Sequence, residues 1–313
     1  MRATDLPGLP TELPSDILPP PSHCLEVRLR DGSLLVVRRH GNLAGPRLFV
    51  SHGNGMAADL YYPFWRHFLD DFEVIVYDFR NHGWNPVSDF RRHSFPTFVF
   101  DNESLLSAVN DAFGRKPAYG AFHSMSAVTA LLQGLRVGPC WAGLVLFDPP
   151  LSPPLGHPLE EAFLSGIELI SGRAEARQDA FASYREFEAV LRRASLFGDF
   201  VEECYALYAA ATLRPGADGQ FELRCPRAYE AHVYRSNGDA TIDFSMPGFP
   251  TPLKVIGGDP NRANAAPPSL LCADLLPRWG IEYEHLPGTS HFLQLEAPEA
   301  SAQSARRFLA QLL

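Results

Sequence analysis

The sequence predicts an α/β fold in which one twisted, mostly parallel sheet has helices on both faces. Short, nearly continuous apolar runs recur along the chain, as is typical of buried parallel strands. Segments with apolar residues at three- and four-residue spacing separate these runs and indicate crossover helices. Within residues 151–245 the helical pattern covers 159–170, 184–197 and 199–212, and a stretch interrupted by glycine and proline follows. This region has no convincing parallel strand, which predicts a helical insertion. With 313 residues, 46% of them hydrophobic, the chain can bury a large core.

The elements follow one another in a regular order. Residues 1–24 are rich in proline and predict an extended arm. In residues 25–40, apolar residues alternate with polar ones on both sides of Asp31-Gly32, and this pattern predicts an antiparallel hairpin. The candidate parallel strands are 47–53, 72–80, 117–124, 141–150, 252–260 and 281–288. The candidate helices between and after them are 60–71, 101–113, 125–135, 269–279 and 298–313. The predicted core is therefore 25–150 and 246–313, and the insertion is a helical cap over the strand ends.

Composition and charge exclude several classes of function. The net charge is −9, and the sequence has no run of basic residues that could bind along a phosphate backbone. We therefore expect no nucleic-acid partner. No apolar stretch reaches the roughly 18 residues of a membrane span, and the first residues lack a secretory apolar region, so we expect a cytoplasmic protein. The 5 cysteines form no C-x-x-C pair, which argues against a disulfide framework or a zinc site. We expect neither a metal nor a cofactor.

Ser124 lies at an abrupt junction between a strand and a helix. The apolar strand ends at this serine, and the helix begins at Met125. Such a junction forces a sharp turn that holds the hydroxyl above the sheet edge. The positive end of the helix favours negative charge that develops there. The junction predicts that Ser124 is a nucleophile.

A serine needs a positioned base to remove its proton, and two later segments supply candidates. His291 lies between the last predicted strand and the final helix, and we predict that it is the base. Asp259 follows the strand before it and is the first candidate for the acid. Asp148 also ends a strand and is the alternative acid. Asn261 lies where a longer loop would place the carboxylate.

Acyl transfer also requires donors for an oxyanion. Residues 51–56 follow an apolar strand and contain two glycines, so the backbone there approaches a ligand closely. We predict the backbone N–H groups of Asn54 and Met125 as the two donors. The polar residues near these segments are expected to brace loops, and they are His52, Asp78, Arg80, His82 and His123.

These motifs resemble those of the α/β-hydrolase superfamily, in particular its capped esterases and carbon-carbon-bond hydrolases. SHGNG at 51–55 is similar to the oxyanion loop of the family, and SHFLQLEAPE at 290–299 is similar to its C-terminal motif. YDFRNHGWNP at 77–86 resembles the family's D-x-R-G-x-G loop, with Asn81 in place of glycine. The turn at Ser124 is similar to the nucleophile elbow of this fold. The order Ser, Asp, His along the chain is also the order of the catalytic residues in this fold. Phe122 and Ser126 stand where the G-x-S-x-G motif has glycine, which leaves the subfamily open.

The resemblance implies a cofactor-independent serine hydrolase that acts on a small or medium-sized apolar ester or thioester through an acyl-enzyme. The small acyl substrate is the expected partner, and the oligomeric state stays open. One alternative keeps the same three residues but cleaves a carbon-carbon bond in a β-diketone or ring-cleavage product. Another is a ligand receptor on the same fold without turnover.

Overall fold

The predicted α/β fold is confirmed by the computed structural model, which describes residues 18–216, 218–237, 242, 249 and 251–313. The eight strands of its main sheet are β1 (His23–Arg28), β2 (Leu34–Gly41), β3 (Arg47–Ser51), β4 (Glu73–Tyr77), β5 (Ala118–His123), β6 (Gly143–Phe147), β10 (Leu253–Gly257) and β11 (Glu282–His285). A second sheet comprises β7 (Ala180–Phe181), β8 (Leu213–Pro215) and β9 (Phe221–Leu223). Most of the predicted arm lies outside the described residues, and β1 already begins at His23.

The order of strands in the main sheet is β1-β2-β4-β3-β5-β6-β10-β11. β1 and β2 form the predicted antiparallel hairpin, in which Gly32 takes a φ of 86°. β2 is antiparallel to β4, and every later neighbouring pair is parallel. The carboxyl ends of the six parallel strands therefore lie at one edge of the sheet, where ligands bind in such folds.

The helices match most of the predicted segments. They are α1 (Tyr62–Trp65), α2 (Phe95–Phe113), α3 (Met125–Val137), α4 (Glu160–Ala176), α5 (Tyr184–Arg193), α6 (Glu203–Thr212), α7 (Arg227–Asn237), α8 (Pro267–Arg278), α9 (Leu293–Glu296) and α10 (Pro298–Leu309). The predicted helix at 60–71 is instead a four-residue α-helix between 3₁₀ turns. α2 begins six residues before its predicted start, with Pro96 in its first turn, where no N–H is needed.

The buried strands divide their side chains between the two faces of the sheet. Phe49 and Ile75 pack with α2 and α3 on one face. Leu48 and Val74 pack with α1 and α10 on the other. Successive residues of a strand point to opposite faces, so a strand that is covered on both sides is apolar at every position. This double burial produces the continuous apolar runs in the sequence and holds the strand ends rigidly.

The segment between β6 and β10 contains α4 to α7 and the small antiparallel sheet. The sequence pattern predicted α4, α5 and α6. It predicted neither α7 nor the three short strands. α4 and α7 pack against each other, and α4 also contacts α8 of the core. The end predicted for this insertion, near residue 245, lies outside the described residues. Among the helices of the described ranges, none is both long and apolar enough to cross a membrane.

Candidate active site

Ser124 lies in a strained turn between β5 and α3. Its φ is 52° and its ψ is −116°, a conformation that costs a residue with a side chain a few kcal/mol unless the surroundings hold it. The surroundings hold it through the backbone, because the Ser124 N–H donates to Phe147 O at 3.0 Å and Ser124 O accepts from Val128 N–H at 3.0 Å. The predicted sharp junction is therefore present, and α3 begins directly at Met125.

Phe122 lies two residues before Ser124, at a position where the G-x-S-x-G motif has glycine. Its ring is fully buried and packs edge-on against Tyr77 and Trp141. The room comes from Gly120, where a Cβ would meet Phe122 Cε2 at 2.3 Å. The strand thus accommodates the bulky ring by a compensating glycine two residues earlier on the same face.

Ser126 closes the turn from the other side. Its hydroxyl accepts from His123 N–H at 2.9 Å and donates to His123 O at 2.8 Å. A glycine at this position could make neither bond. Ser126 therefore stabilises the turn, and its hydroxyl is not available as a second nucleophile.

Ser124, His291 and Asp148 form a continuous hydrogen-bonded chain. His291 Nδ1 lies 2.7 Å from Asp148 Oδ2, and His291 Nε2 lies 3.1 Å from Ser124 Oγ. A carboxylate only accepts, so Nδ1 carries the proton and Nε2 is left to accept from the Ser124 hydroxyl. Ser124 is 8% exposed and Asp148 is fully buried. A serine hydroxyl, an imidazole and a buried carboxylate thus lie in series, each within hydrogen-bond distance of the next.

Asp148 directly follows β6 and is held there by several donors. Its φ of 44° turns the side chain back along the sheet edge. Gly258 N–H donates to Oδ1 at 3.1 Å, and the Ser269 hydroxyl donates to Oδ2 at 2.8 Å. A buried carboxylate requires such partners, because it has lost its water. Ser269 was not identified from the sequence, since a serine at the start of α8 carries no sequence signal of its target.

The structure corrects the predicted partner of His291, which is Asp148 and not Asp259. The carboxylate of Asp259 accepts from Gly288 N–H at 2.8 Å and from Asn261 N–H at 2.9 Å. These backbone donors lower the pKa of Asp259. The Asn261 side chain donates to Asp259 Oδ1 at 3.1 Å. Both residues therefore stabilise the loop between β10 and α8, and neither contacts His291.

Asn54 and Met125, the predicted oxyanion donors, line one cavity together with Ser124 and His291. Within the described part of the chain, neither backbone N–H donates to a protein acceptor. The Asn54 side chain points elsewhere, because its Nδ2 donates to Glu230 O of α7 at 2.8 Å. The side chain thus ties the loop to the insertion.

The polar residues behind this loop brace it, as expected from the sequence. Ala58 N–H donates to Asp78 at 2.7 Å, and Gly55 N–H donates to His82 Nε2 at 3.2 Å. His52 Nδ1 donates to Gly53 O at 2.8 Å, and its Nε2 accepts from Phe79 N–H. Arg80 binds Asp101 through two hydrogen bonds of 2.6 Å. All four polar side chains are used in fixing loops.

His123 connects the nucleophile turn with the segment that carries His291. Its Nε2 donates to His291 O at 2.9 Å, and its Nδ1 accepts from the Tyr61 hydroxyl at 2.7 Å. Tyr61 in turn accepts from Gly53 N–H at 3.1 Å. Burial, with His291 beside it, lowers the pKa of His123 well below its usual value, so the ring stays neutral. This chain of bonds links the glycine loop to the backbone of the predicted base.

The cavity above Ser124 has a volume of about 180 Å³. Core and insertion both contribute to its wall. The described residues that line it include no Asp, Glu, Lys or Arg. The lining residues besides the four named above are Phe95, Pro150, Phe163, Gly166, Ile167, Ile170, Leu196, Val233, Tyr234, Asn237, Ala266, Pro267, Pro268 and Phe292.

One group of buried side chains has the composition of a metal site. Ligand atoms of His82, His93 and Cys225 lie within 4.8 Å of one another. Both nitrogens of His82 are already hydrogen-bonded, and His93 Nδ1 accepts from Asn81, so its other nitrogen carries the proton. Burial raises the pKa of the Cys225 thiol, which disfavours the thiolate that a metal needs. We therefore assign no metal to these three residues.

Comparison with sequence families agrees with this geometry. Residues 48–304 match the model of the "Alpha/beta hydrolase family". The chain belongs to the α/β hydrolase family. This match covers the turn at Ser124, Asp148 and His291 of the hydrolase. A search of curated proteins found no match.

Solved structures share the fold of this α/β hydrolase at low sequence identity. An E-2-(acetamidomethylene)succinate hydrolase has a TM-score of 0.72 at 19% identity, with 92% of this chain and 100% of that one covered. An esterase from Thermogutta terrifontis has a TM-score of 0.65 at 17% identity, covering 93% and 99%. A thioesterase domain from the curacin biosynthetic pathway has a TM-score of 0.66 at 16% identity, covering 92% and 100%.

Proposed function

We propose that this α/β hydrolase is a serine hydrolase that acts on small or medium-sized apolar esters or thioesters. The observation that supports the proposal is the chain of bonds from Ser124 Oγ through His291 to Asp148, with distances of 3.1 and 2.7 Å. No other residue type is needed for acyl transfer by this route, since the nucleophile, base and acid are all side chains of this chain.

The reaction begins when the Ser124 oxygen attacks the carbonyl carbon and its proton passes to His291 Nε2. Asp148 accepts from the Nδ1–H throughout and stabilises the imidazolium. The tetrahedral intermediate collapses as the C–O or C–S bond to the leaving group breaks and His291 returns the proton to that group. Water, deprotonated by His291, then attacks the acyl carbon. The bond from this carbon to Ser124 Oγ breaks, His291 returns the proton to Oγ, and the acid product leaves.

The negative oxygen of each intermediate accepts from the backbone N–H groups of Asn54 and Met125. Loss of one such donor typically costs about 3 kcal/mol of barrier. The Met125 N–H is at the N-terminus of α3, whose dipole also favours an anion. The braced loop around Gly53 fixes the direction of the Asn54 N–H before the substrate arrives, so little reorganisation is needed.

The insertion acts as a cap that completes the substrate site. α4 and α7 supply much of the wall of the cavity, and this wall carries no charged side chain among the described residues. A charged acyl group would lose its water there without a partner, at a cost of several kcal/mol. The preferred substrates are therefore uncharged.

Labelling with a fluorophosphonate tests the proposal. We expect the wild-type protein to be labelled at Ser124 and to hydrolyse p-nitrophenyl esters. The Ser124→Ala variant should not be labelled, and its kcat should fall by at least about 10³-fold. Ser104→Ala is the matched control, because the hydroxyl of this partly exposed serine donates to Phe100 O of its own helix. A folded Ser124→Ala protein with wild-type turnover contradicts the proposal. Cleavage of a vinylogous diketone without ester hydrolysis favours the carbon-carbon hydrolase instead.

A further inference from the structure

Two helices from different parts of the polypeptide line the cavity above Ser124 side by side. One face of α4 supplies Phe163, Gly166, Ile167 and Ile170, which are spaced as neighbours on a helix surface. The start of α8, which contacts α4, supplies residues 266–268. We call the part of the cavity that these two helices line the chain pocket.

Gly166 is unusual in this wall, because neither the backbone nor the packing requires glycine there. It does not have a positive φ. A Cβ at this position would meet only Pro267 Cγ, at an ordinary contact distance of 3.6 Å. Glycine destabilises the interior of a helix relative to alanine, so its presence in α4 has an energetic cost. Pro267 thus limits the space in the direction of a Cβ, and a longer side chain at this position would have to extend into the cavity.

The dimensions of the cavity set the size of the group that it holds. An apolar cavity of about 150 Å³ in a protein interior accommodates one benzene molecule. The volume of about 180 Å³ found here is slightly larger. Because this volume includes the space above Ser124, the cavity holds an uncharged group of about six to eight carbon atoms, counted from the reacting carbonyl carbon.

We propose that the chain pocket binds a hydrocarbon chain of the ester substrate and that Gly166 sets the chain length that fits. This inference rests on the proposed serine hydrolase function. The hydrocarbon chain of the substrate belongs either to its acyl group or to its alcohol, and both present the same apolar surface to α4 and α8. Because Pro267 limits the space beside Gly166, a long side chain at position 166 would extend into the pocket and exclude the longer substrates.

Gly172 of the same helix provides a matched control. It is exposed, a Cβ there would meet nothing within 4 Å, and it does not line the cavity. Substitutions at 166 and 172 therefore have similar effects on helix propensity and differ in what they do to the pocket. Replacement of either glycine by alanine is expected to raise Tm.

The experiment measures kcat/KM for two series of substrates, p-nitrophenyl esters with acyl chains of two to twelve carbons and acetate esters of alcohols of the same lengths. In the wild-type protein, one series is expected to improve about three- to fourfold per methylene up to about six to eight carbons. In Gly166→Leu the optimum moves to shorter chains, with a loss of at least about tenfold on the eight-carbon substrate and little change on the two-carbon one. Gly172→Leu keeps the wild-type profile.

Equal profiles for Gly166→Leu and the wild-type protein would overturn the inference, and so would an equal loss at every chain length. If Gly166→Leu does not fold, Gly166→Ala takes its place, with an expected loss of about threefold on the longest accepted chain. If no ester shows turnover that depends on Ser124, the proposed function is wrong. In that case thermal stabilisation by 1-octanol tests the pocket, with stabilisation of the wild-type and Gly172→Leu proteins but not of Gly166→Leu supporting it and equal stabilisation refuting it.

Discussion

The turns that follow β6 and β10 lie side by side at the edge of the sheet, and each carries an aspartate. Phe147 and Ile256 are paired in the parallel ladder, so Asp148 lies one residue beyond this pair and Asp259 three residues beyond it. Asp148 comes directly after its strand, whereas Asp259 follows Gly258 on the outer loop. Only Asp148 is within hydrogen-bond distance of His291.

The two carboxylates have opposite surroundings. Asp148 is fully buried and accepts from His291, Ser269 and the Gly258 N–H. Asp259 is partly exposed and accepts from Asn261 N–H of its own loop and from Gly288 N–H of the loop after β11. An orienting acid must be desolvated and held in one geometry, and this needs donors from several elements. Two strand ends with the same residue type therefore differ because of what packs against them.

Replacement of Asp148 by asparagine should have the largest effect on activity. The amide can donate to His291 Nδ1 and so favour the wrong tautomer, and we expect kcat to fall by about 10³- to 10⁴-fold. The measurement is kcat for a p-nitrophenyl ester, with Tm recorded to confirm that the variant is folded. A decrease of less than about tenfold would show that Asp148 does not orient His291.

A double variant that combines Asp148→Asn with Asn261→Asp tests whether the loop after β10 can supply the acid. Asn261 faces Asp259, at 3.1 Å, and not His291. We expect the double variant to stay within about threefold of Asp148→Asn in kcat. Recovery by two orders of magnitude would mean that the loop reaches His291 and that the difference between the two turns is small.

Replacement of Ser269 by alanine removes one of the donors to Asp148. A hydrogen bond to a charged group contributes about 1.5–3 kcal/mol, so we expect a lower Tm and a loss of about tenfold in kcat with KM unchanged. Ser301→Ala is the control, since this buried serine donates only to Leu293 O, at 3.0 Å. An equal effect of the two variants on kcat would contradict a positioning role for Ser269.

Replacement of Asp259 by asparagine should have the smallest effect, with kcat within about twofold of the wild-type value. Its stability effect depends on pH. Backbone N–H groups lower the pKa of Asp259, so the carboxylate stabilises the fold above the unfolded-state pKa of about 3.9, and this stabilisation is lost as the pH falls through the folded-state pKa. The Tm difference between the wild-type protein and the variant should therefore shrink between about pH 6 and pH 3. A constant difference would argue against this carboxylate contact.

Much of the fold could be predicted because its causes are local. The runs around Leu48, Val74 and Val145 are apolar at each position since both faces of the sheet are covered. α7 was missed, because its apolar positions are few and its buried Glu230 gives no helical signal. Asn81 was read as a departure from the resembling motif, and the structure shows it at a φ of 65°, a conformation that asparagine tolerates better than most residues.

The sequence by itself determined the order of the main-sheet strands and of most helices along the chain, the strand-to-helix turn at Ser124 and the position of His291 after the last strand. Periodicity and residue type decide these features within a few neighbouring positions. Only the tertiary structure decided that Asp148 contacts His291 and that Asp259 does not. The choice depends on Gly258, Ser269 and Gly288, which approach the two carboxylates from distant parts of the chain. Contacts of this kind depend on the path of loops in space, and no local pattern encodes that path.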